Sequence, residues 1–282
     1  MIAQGQNPDG DPPGANDWDC KPSKAHPEPV VLAHGLLANK TVNWNSIAPF
    51  LANRGFCVYA LTYGTKDELD SPLYQPGGMT TMQKSARELK RFIGRVRRST
   101  GAEKVDIVGH SEGSIMPSWY VRFLGGGKVV DDYVGLTTLW EGTNPAGLST
   151  LNDFAIAFGL DPALVPTIDR VCSSCRQFLK GSNFFARLHA RGTIAKRIDY
   201  TSIVTRYDEL VVPYKSGLLP EGPNVTNVVL QDYCSVDAAE HLAVMLDPVT
   251  AGFVYRALDP KRAPKPPCVP VTPLGAVGYD GD

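Results

Sequence analysis

The pentapeptide Gly109-His110-Ser111-Glu112-Gly113 limits the fold of this chain more than any other stretch. It directly follows the apolar run 105–108 and precedes a second apolar stretch at 115–124. A G-x-S-x-G sequence between a strand and a helix is typical of a tight turn that exposes the serine hydroxyl at the edge of a sheet. We therefore predict that Ser111 is a nucleophile, flanked by glycines because a side chain at 109 or 113 would clash with the neighbouring strand or helix.

The rest of the apolar pattern alternates between strands and helices. Short apolar runs predict strands at 29–33, 56–61, 105–108, 133–140, 200–205 and 225–230. Apolar residues spaced three and four apart predict helices at 43–53, 79–98, 115–124 and 241–258. This order predicts an α/β fold, with a mainly parallel central sheet flanked by helices and with binding sites at the carboxyl ends of the strands.

The two ends and one internal stretch depart from this alternation. Residues 1–22 are rich in Gly, Pro, Asn and Asp and predict a flexible tail, whereas we expect one domain over 23–268 and a second tail over 269–282. Within the domain, 143–190 shows no clear strand and is interpreted as a mostly helical cap insertion. The first residues lack a basic stretch followed by an apolar one, so we expect that any export signal has been removed.

The composition excludes two classes of protein. The 28 basic and 29 acidic side chains nearly balance, which argues against nucleic-acid binding because phosphate recognition needs a basic surplus or a clustered basic face. The helix predicted at 79–98 carries one basic cluster: Arg87, Lys90, Arg91, Arg95, Arg97 and Arg98. We interpret this cluster as a solvated helix face. No apolar run approaches the roughly 18 residues of a membrane span, which excludes a spanning protein but allows peripheral contact with lipid surfaces.

The six cysteines, an even number, indicate three disulfides and an oxidising compartment, so we expect a secreted protein. The count alone leaves every pairing open. Only Cys172 and Cys175 have the spacing of paired metal ligands, and neither a second such pair nor a histidine pair accompanies them. We therefore expect no metal ion, and the absence of a nucleotide-binding loop predicts no other cofactor.

A serine hydroxyl needs a base to take its proton, and the order of residues selects His241. In a fold with this serine turn, the serine comes first along the chain, the acid second and the histidine last. That order excludes the histidines that precede the serine, which are His26, His34 and His110. His189 leaves few positions for an acid outside the insertion and is interpreted as a surface or cap residue. His241 follows the last predicted strand and is expected to open a helix.

The acid that orients the histidine should leave a strand end between the serine and the histidine. Asp208 fits best because it directly follows the strand predicted at 200–205. Glu209 is the immediate rival, and Asp232 and Asp237 suit the role less because they crowd the loop of the histidine.

Two backbone N–H groups are needed to bind the oxyanion of a tetrahedral intermediate. One is expected from Glu112, the residue after the serine, and the other from Leu36, in the turn 34–37 after the first strand. If the Glu112 side chain faces the site, its charge would raise the pKa of His241 and move the activity optimum to higher pH.

A set of further motifs carries a resemblance to one known family. They are Cys20-Lys-Pro, the strand and turn at 29–36, Asn43-Trp44, 54–64, 104–111, Cys172-x-x-Cys175, 205–209 and Glu240-His241-Leu242. From about Trp18 to Cys268 the chain resembles the secreted lipases and esterases of actinobacteria, the class 2 lipase group of the α/β-hydrolase fold. It departs from that group at Glu112, where Gln is more common, and at Leu36, where a small residue is common.

The resemblance implies hydrolysis of acyl esters, on small molecules or lipids, through an acyl-enzyme and a triad of Ser111, Asp208 and His241. It also implies the disulfides Cys20–Cys57, Cys172–Cys175 and Cys234–Cys268. We expect the substrate pocket to be lined by Leu37, Trp140, Leu151, Phe154 and Phe158. The insertion is either a mobile lid or a fixed cap. Two alternatives remain for the function: the same residues tuned to a lactone or polyester, and a catalytically silent hydrolase fold used for binding.

Overall fold

The computed structural model describes residues 9–67, 74–147, 171–273 and 275, and these residues contain one parallel sheet. Its strands are β1 (Val30–Ala33), β2 (Val58–Leu61), β3 (Val105–His110), β4 (Val130–Leu136), β5 (Asp199–Val204) and β6 (Val225–Val229). They lie in the order β2-β1-β3-β4-β5-β6, and each neighbouring pair is parallel. All six strands therefore end at the same edge of the sheet, which confirms the predicted α/β fold.

The α-helices of the described residues flank this sheet. They are α1 (Lys40–Trp44), α2 (Ile47–Ala52), α3 (Met82–Thr100), α4 (Glu112–Phe123), α5 (Asn183–His189), α6 (Leu230–Tyr233) and α7 (Pro248–Leu258). None of these helices has both the length and the apolar character that crossing a bilayer requires. The helix predicted at 43–53 is two helices, α1 and α2, because Asn45 and Ser46 between them are residue types that favour helix ends.

The strand side chains alternate between two layers because successive residues of a strand point to opposite faces. In β1, Val31 and Ala33 pack with α3, α4 and α5, whereas Val30 and Leu32 pack with α1, α2 and α7. The strands β1, β2 and β3 are buried along their whole length, as continuous apolar runs predict.

The prediction of one helix over 241–258 is wrong in its first half. The observed α7 begins at Pro248, and the side chain of its N-cap Asp247 accepts hydrogen bonds of 2.8 and 2.9 Å from two N–H groups of the first turn. Proline suits this first helical position because its missing N–H would have no partner inside the helix. His241 therefore lies in a loop ahead of the 3₁₀ turn Ala243–Leu246, and not at the start of a helix.

Part of the expected cap insertion is described. It holds the 3₁₀ turn Cys175–Phe178 and helix α5. The stretch 148–170, which makes up much of the insertion, lies outside the described residues.

The segment expected as an N-terminal tail is attached to the sheet over its described part. The N–H of Asn16 donates to the Val58 carbonyl (2.9 Å), and the side-chain amide of Asn16 both donates to and accepts from the backbone of Ala60 (2.9 Å each). These bonds run along the outer edge of β2, where no other strand of the described residues pairs. The sequence does not reveal this attachment because an asparagine side chain, and not an apolar run, makes the contact.

All six cysteines form disulfides, in the pairs that the resemblance implies. Cys20–Cys57 joins the N-terminal segment to the residue before β2. Cys234–Cys268 joins the end of α6 to the chain after α7, and Cys172–Cys175 closes a short loop in the insertion. Two of the three bridges therefore fasten chain ends to the domain.

The turn from β3 to α4 depends on close backbone contact. A Cβ atom added at Gly109 would lie 1.9 Å from the Gly113 carbonyl oxygen, and one added at Gly113 would lie 1.9 Å from the Ala33 carbonyl oxygen. No side chain fits at either distance, so both glycines are required for α4 to pack against β3 and β1.

Replacement of Gly109 by alanine should lower the free energy of unfolding by about 3 kcal/mol or more, because the backbone must move to accept the methyl group. Gly94→Ala is the matched control: its added Cβ meets only the flexible Arg98 side chain, at 3.4 Å. Inside helix α3 this control should raise stability by about 0.5–1 kcal/mol. Denaturant unfolding of both variants measures the difference, and a stable Gly109→Ala protein would contradict the packing described.

Replacement of each disulfide by two alanines should destabilise the fold according to the loop that the bridge closes. Loop-closure entropy predicts about 4 kcal/mol for Cys20–Cys57 and Cys234–Cys268, with separations of 37 and 34 residues, and about 2 kcal/mol for Cys172–Cys175, with a separation of 3. Denaturant unfolding without reductant tests this order. Equal losses in the three variants would show that loop size does not govern the stabilisation.

Candidate active site

Ser111 occupies the turn between β3 and α4 with a backbone φ of 52°, in the left-handed region that residues other than glycine seldom adopt. The N–H of Ser111 donates to the Leu136 carbonyl (3.0 Å), and the N–H and hydroxyl of Ser114 donate to the Ser111 carbonyl (2.9 and 2.6 Å). Backbone strain of this kind persists only where the surrounding structure enforces it, and it is typical of functional sites. The turn thus fixes the serine at the amino end of α4.

Asp208 and His241 meet at the same edge of the sheet, from the loop after β5 and the loop after α6. The Nδ1 atom of His241 lies 2.8 Å from Oδ1 of Asp208, and both side chains are almost fully buried. The same Asp208 oxygen accepts from the N–H groups of Leu210 (3.0 Å) and Val211 (2.7 Å), which fixes the carboxylate. Because a carboxylate can only accept, Nδ1 of His241 donates and Nε2 is left as an acceptor.

The other acidic residues considered from the sequence do not contact the His241 ring. Glu209 accepts from the backbone N–H of His241 at 3.4 Å, and not from its side chain. Asp232 pairs with Arg206 at the surface, and Asp237 accepts from the N–H of Ala239 (2.9 Å). Of the four carboxylates, the structure brings only Asp208 to the imidazole.

Glu209 and Glu240 form a second pair of carboxyl groups beside His241. The Glu240 oxygens accept from the N–H groups of Leu242 (3.0 Å) and Ala243 (2.8 Å). Burial, together with the hydrogen bond and charge of Glu240, raises the pKa of Glu209 to about 7. Glu209 therefore changes its protonation state near neutral pH.

Burial by itself lowers the pKa of His241, because a buried imidazolium loses its hydration. The charge and the hydrogen bond of Asp208, followed by the charges of Glu209 and Glu240, outweigh burial and raise the pKa above its usual value. The site thus stabilises the protonated form of the histidine, which is the form that a general base acquires when it accepts a proton.

The turn after β1 lies opposite the start of α4. The N–H of Gly35 donates to Oδ1 of Asn43 (3.0 Å), and the N–H of Leu37 donates to the Gly77 carbonyl (3.0 Å). Between them, the N–H of Leu36 donates to no other group of the described residues, and the same holds for the N–H of Glu112. These two backbone N–H groups are the ones that the sequence predicts as donors to an oxyanion.

Two further histidines are buried around this turn in neutral form. His34 accepts from the N–H of Tyr63 at Nε2 (3.1 Å), and burial lowers its pKa to about 4. Burial and the nearby charge of His241 lower the pKa of His110 to about 3. The ring nitrogens of His110 lie 3.0 Å from Oδ1 of Asn43 and 3.0 Å from the carbonyl of His241. His110 therefore spans the gap between the Gly35 turn and the loop of His241.

The Glu112 side chain does not act on His241 as the sequence suggests. It is fully buried, and neither of its carboxyl oxygens has a hydrogen-bond partner among the described residues. Burial raises the pKa of Glu112 well above its usual value, because a buried carboxylate loses its hydration. The charges that raise the pKa of His241 are those of Asp208, Glu209 and Glu240.

A pocket opens beside the serine. Its described lining consists of Leu36, Ser111, Leu139, Thr143, Gly147, Phe178, Leu210, Val211 and His241. The hydroxyl of Thr143 is engaged with the backbone of Leu210 and Val212, so most of the surface offered to a ligand is apolar. Nothing in the described ranges groups three or more His, Cys, Asp or Glu side chains where a metal ion could bind.

Two of the residues expected in this pocket lie elsewhere. Trp140 is packed in the core against Tyr133, at 5.6 Å between ring centroids, and its Nε1–H donates to Ser202 Oγ (3.3 Å). Leu37 packs against the Cys172–Cys175 disulfide. Leu151, Phe154 and Phe158 lie outside the described residues.

The lining residues that the sequence does not reveal come from three loops. Leu139 and Thr143 follow β4, Leu210 and Val211 follow Asp208, and Phe178 ends a 3₁₀ turn of the insertion. A usable signal exists for the first two pairs, because loops after the carboxyl ends of parallel strands line the site.

Solved structures of similar fold include several lipases. Lipase B of Aspergillus fumigatus superposes with a TM-score of 0.66 at 18% identity, over 92% of this chain and 57% of that chain, so the present chain spans little more than half of its length. The mature lipase BlEst2 of Bacillus licheniformis superposes with a TM-score of 0.53 at 16% identity, over 74% of this chain and 85% of that chain. A monoacylglycerol lipase of Paleococcus ferrophilus superposes with a TM-score of 0.52 at 19% identity, over 83% of this chain and 94% of that chain. These likenesses establish the α/β-hydrolase fold.

The amino-acid sequence itself matches one family model. The model describes class 2 lipases and covers residues 27–253, which include every strand and the pocket. A match over most of the chain establishes membership, and the chain belongs to the class 2 lipase family.

Proposed function

We propose that this protein is a serine hydrolase of carboxylic esters, with Ser111 as nucleophile, His241 as general base and Asp208 as the residue that orients it. The observation that carries the proposal is the buried 2.8 Å contact between Asp208 and His241 at a pocket that Ser111 also lines. Asp208 holds the imidazole in the tautomer whose Nε2 is free to accept a proton.

In the proposed reaction, Ser111 Oγ attacks the ester carbonyl carbon while His241 Nε2 accepts the hydroxyl proton. The carbonyl oxygen becomes an oxyanion that accepts from the N–H groups of Leu36 and Glu112. As the intermediate collapses, the bond to the leaving alcohol breaks and the imidazolium returns the proton to that alcohol. Water then attacks the acyl-enzyme by the same steps and releases the acid.

The substrate class we infer is an ester with an apolar acyl group, on a small molecule or a lipid. The apolar lining supports this class, because the polar groups at the pocket are those assigned to the reaction and the already engaged Thr143. The three disulfides support a secreted protein, since such bonds persist in oxidising compartments. We also propose that 23–268 is the hydrolase domain, with its cap at 143–190.

Ser111→Ala should lower kcat/KM for a short p-nitrophenyl ester by about 10⁴-fold or more and abolish covalent labelling by a fluorophosphonate, because Thr143, the other hydroxyl in the described pocket lining, is engaged with the backbone of Leu210 and Val212. Ser118→Ala, on the same helix α4 with its hydroxyl at Tyr133, is the matched control and should keep both activities. Full labelling of the Ser111→Ala protein, or a native protein without hydrolysis and labelling, would overturn the proposal.

Glu209→Gln should move the acidic limb of the kcat/KM profile to lower pH. His241 must be uncharged to accept the proton, and removal of a nearby negative charge lowers its pKa, so the active form persists further into acid. Glu112→Gln is the control, because Glu112 is not among the groups whose charges raise the pKa of His241; its profile should match that of the parent. If the acidic limb moved only in Glu112→Gln, Glu112 and not Glu209 would be the carboxyl group that acts on His241, which would contradict this prediction.

A further inference from the structure

Helix α3 carries a large positive charge. Its residues include seven basic side chains and one acidic side chain, Glu88, which accepts from the backbone N–H of Gly64 (2.9 Å). The buried positions, such as Leu89 and Ile93, face the sheet. The exposed basic residues cover the opposite side of the helix and are Lys84, Arg87, Lys90, Arg91, Arg95 and Arg98.

A second basic segment lies on the same side of the sheet. Residues 171–198 contain six exposed basic side chains and no Asp or Glu: Arg176, Lys180, Arg187, Arg191, Lys196 and Arg197. Oε1 of Gln177, in this segment, accepts from the N–H of Met82 at the start of α3 (2.7 Å). Phe184 in α5 stacks on Trp119 of α4, at 5.5 Å, and α4 packs against α3. We call α3 and 171–198 together the cationic face.

The rest of the molecule has the opposite charge. The cationic face holds 13 of the 28 basic residues and one of the 29 acidic residues, so the remaining chain has 15 basic and 28 acidic side chains. A surface built only for solubility mixes the two signs, whereas this one separates them.

The charge of the cationic face is not neutralised by ion pairs along α3. The six exposed basic side chains of α3 form no ion pair with any described residue. Aromatic rings hold some of the guanidinium groups instead: Arg95 lies 3.6 Å from the Trp18 ring centroid and Arg191 lies 5.1 Å from that of Phe123. Such contacts orient an arginine without cancelling its charge.

The composition of the face selects among anionic partners. The large apolar side chains that are exposed in the described chain, Tyr207, Val236 and Leu246, lie outside it. A protein interface has an apolar centre depleted in lysine, and single-stranded nucleic acid is bound with exposed aromatic platforms. A broad basic face without either feature, about 28 Å long along α3, fits a layer of anionic headgroups. We propose that the cationic face docks the protein on anionic phospholipid bilayers.

This docking would bring the pocket close to lipid. Helix α3 leads into the parallel strand β3, so its amino end lies at the sheet edge where Ser111 stands. On the second segment, the N–H of Lys180 donates to the carbonyl of Thr143 (3.0 Å), a residue of the pocket lining. That docking delivers ester substrate from the lipid to the pocket rests on the proposed function, whereas the docking itself does not.

Vesicle flotation of the full chain tests the proposal. The protein should bind vesicles of phosphatidylcholine with about one third phosphatidylglycerol, not bind pure phosphatidylcholine, and dissociate as salt is raised. The double variant Lys90→Glu, Arg91→Glu should bind at least about 25-fold more weakly, since each basic residue near such a surface contributes about fivefold. Lys261→Glu, Lys265→Glu changes net charge equally on the chain after α7 and should bind like the parent.

Three results would overturn the proposal: equal binding to neutral vesicles, equal loss in the two double variants, or retention on a soluble polyanion such as heparin without vesicle binding. Hydrolysis of a short soluble ester by the Lys90→Glu, Arg91→Glu variant should equal that of the parent, which shows that the variant is folded. The Ser111→Ala protein should still bind anionic vesicles. A protein that floats but hydrolyses no ester would contradict the proposed function alone.

Discussion

The site depends on the absence of a side chain at Gly113, which lets α4 rest directly on the backbone of β1. This contact places Ser111 and the turn around Leu36 at a fixed separation, because one follows β3 and the other follows β1 in adjacent positions of the sheet. Parallel pairing then brings the loop of Asp208 to the same edge. The geometry of the site is thus set by backbone packing, and the side chains that carry the chemistry are added to a rigid frame.

Much of this frame could be predicted from the sequence, because apolar runs mark buried strands and chain order ranks the polar residues that follow them. The meeting of Asp208 and His241 follows from the rule that parallel strands end together. The residues that line the pocket are harder to predict from the sequence than the frame is. Trp140 is a core residue because β4 ends at Leu136, several residues before the predicted strand end, and the chain then turns back into the core. Phe178 reaches the pocket from a distant insertion, which no local pattern reveals.

The buried acids around the site divide into two electrostatic types. Burial raises the pKa of Glu112 well above its usual value and so disfavours its charged form. The charges of Glu209 and Glu240, together with that of Asp208, raise the pKa of His241. Sequence position does not distinguish these types, because Glu112 and Glu209 each adjoin a residue of the proposed triad. Burial and the distance to a partner decide which carboxyl group carries charge.

The attachment of Asn16 to β2 bears on how copies of this protein behave towards one another. An outer strand with unpaired N–H and C=O groups is a template on which another chain can add a strand, and this leads to aggregation. Here the side-chain amide of Asn16 occupies both groups of Ala60, and its backbone N–H occupies the Val58 carbonyl. The Cys20–Cys57 bond keeps this segment in place. The N-terminal segment therefore covers the β2 edge of the sheet at these residues. A strand of another molecule cannot pair with the backbone groups that Asn16 already occupies.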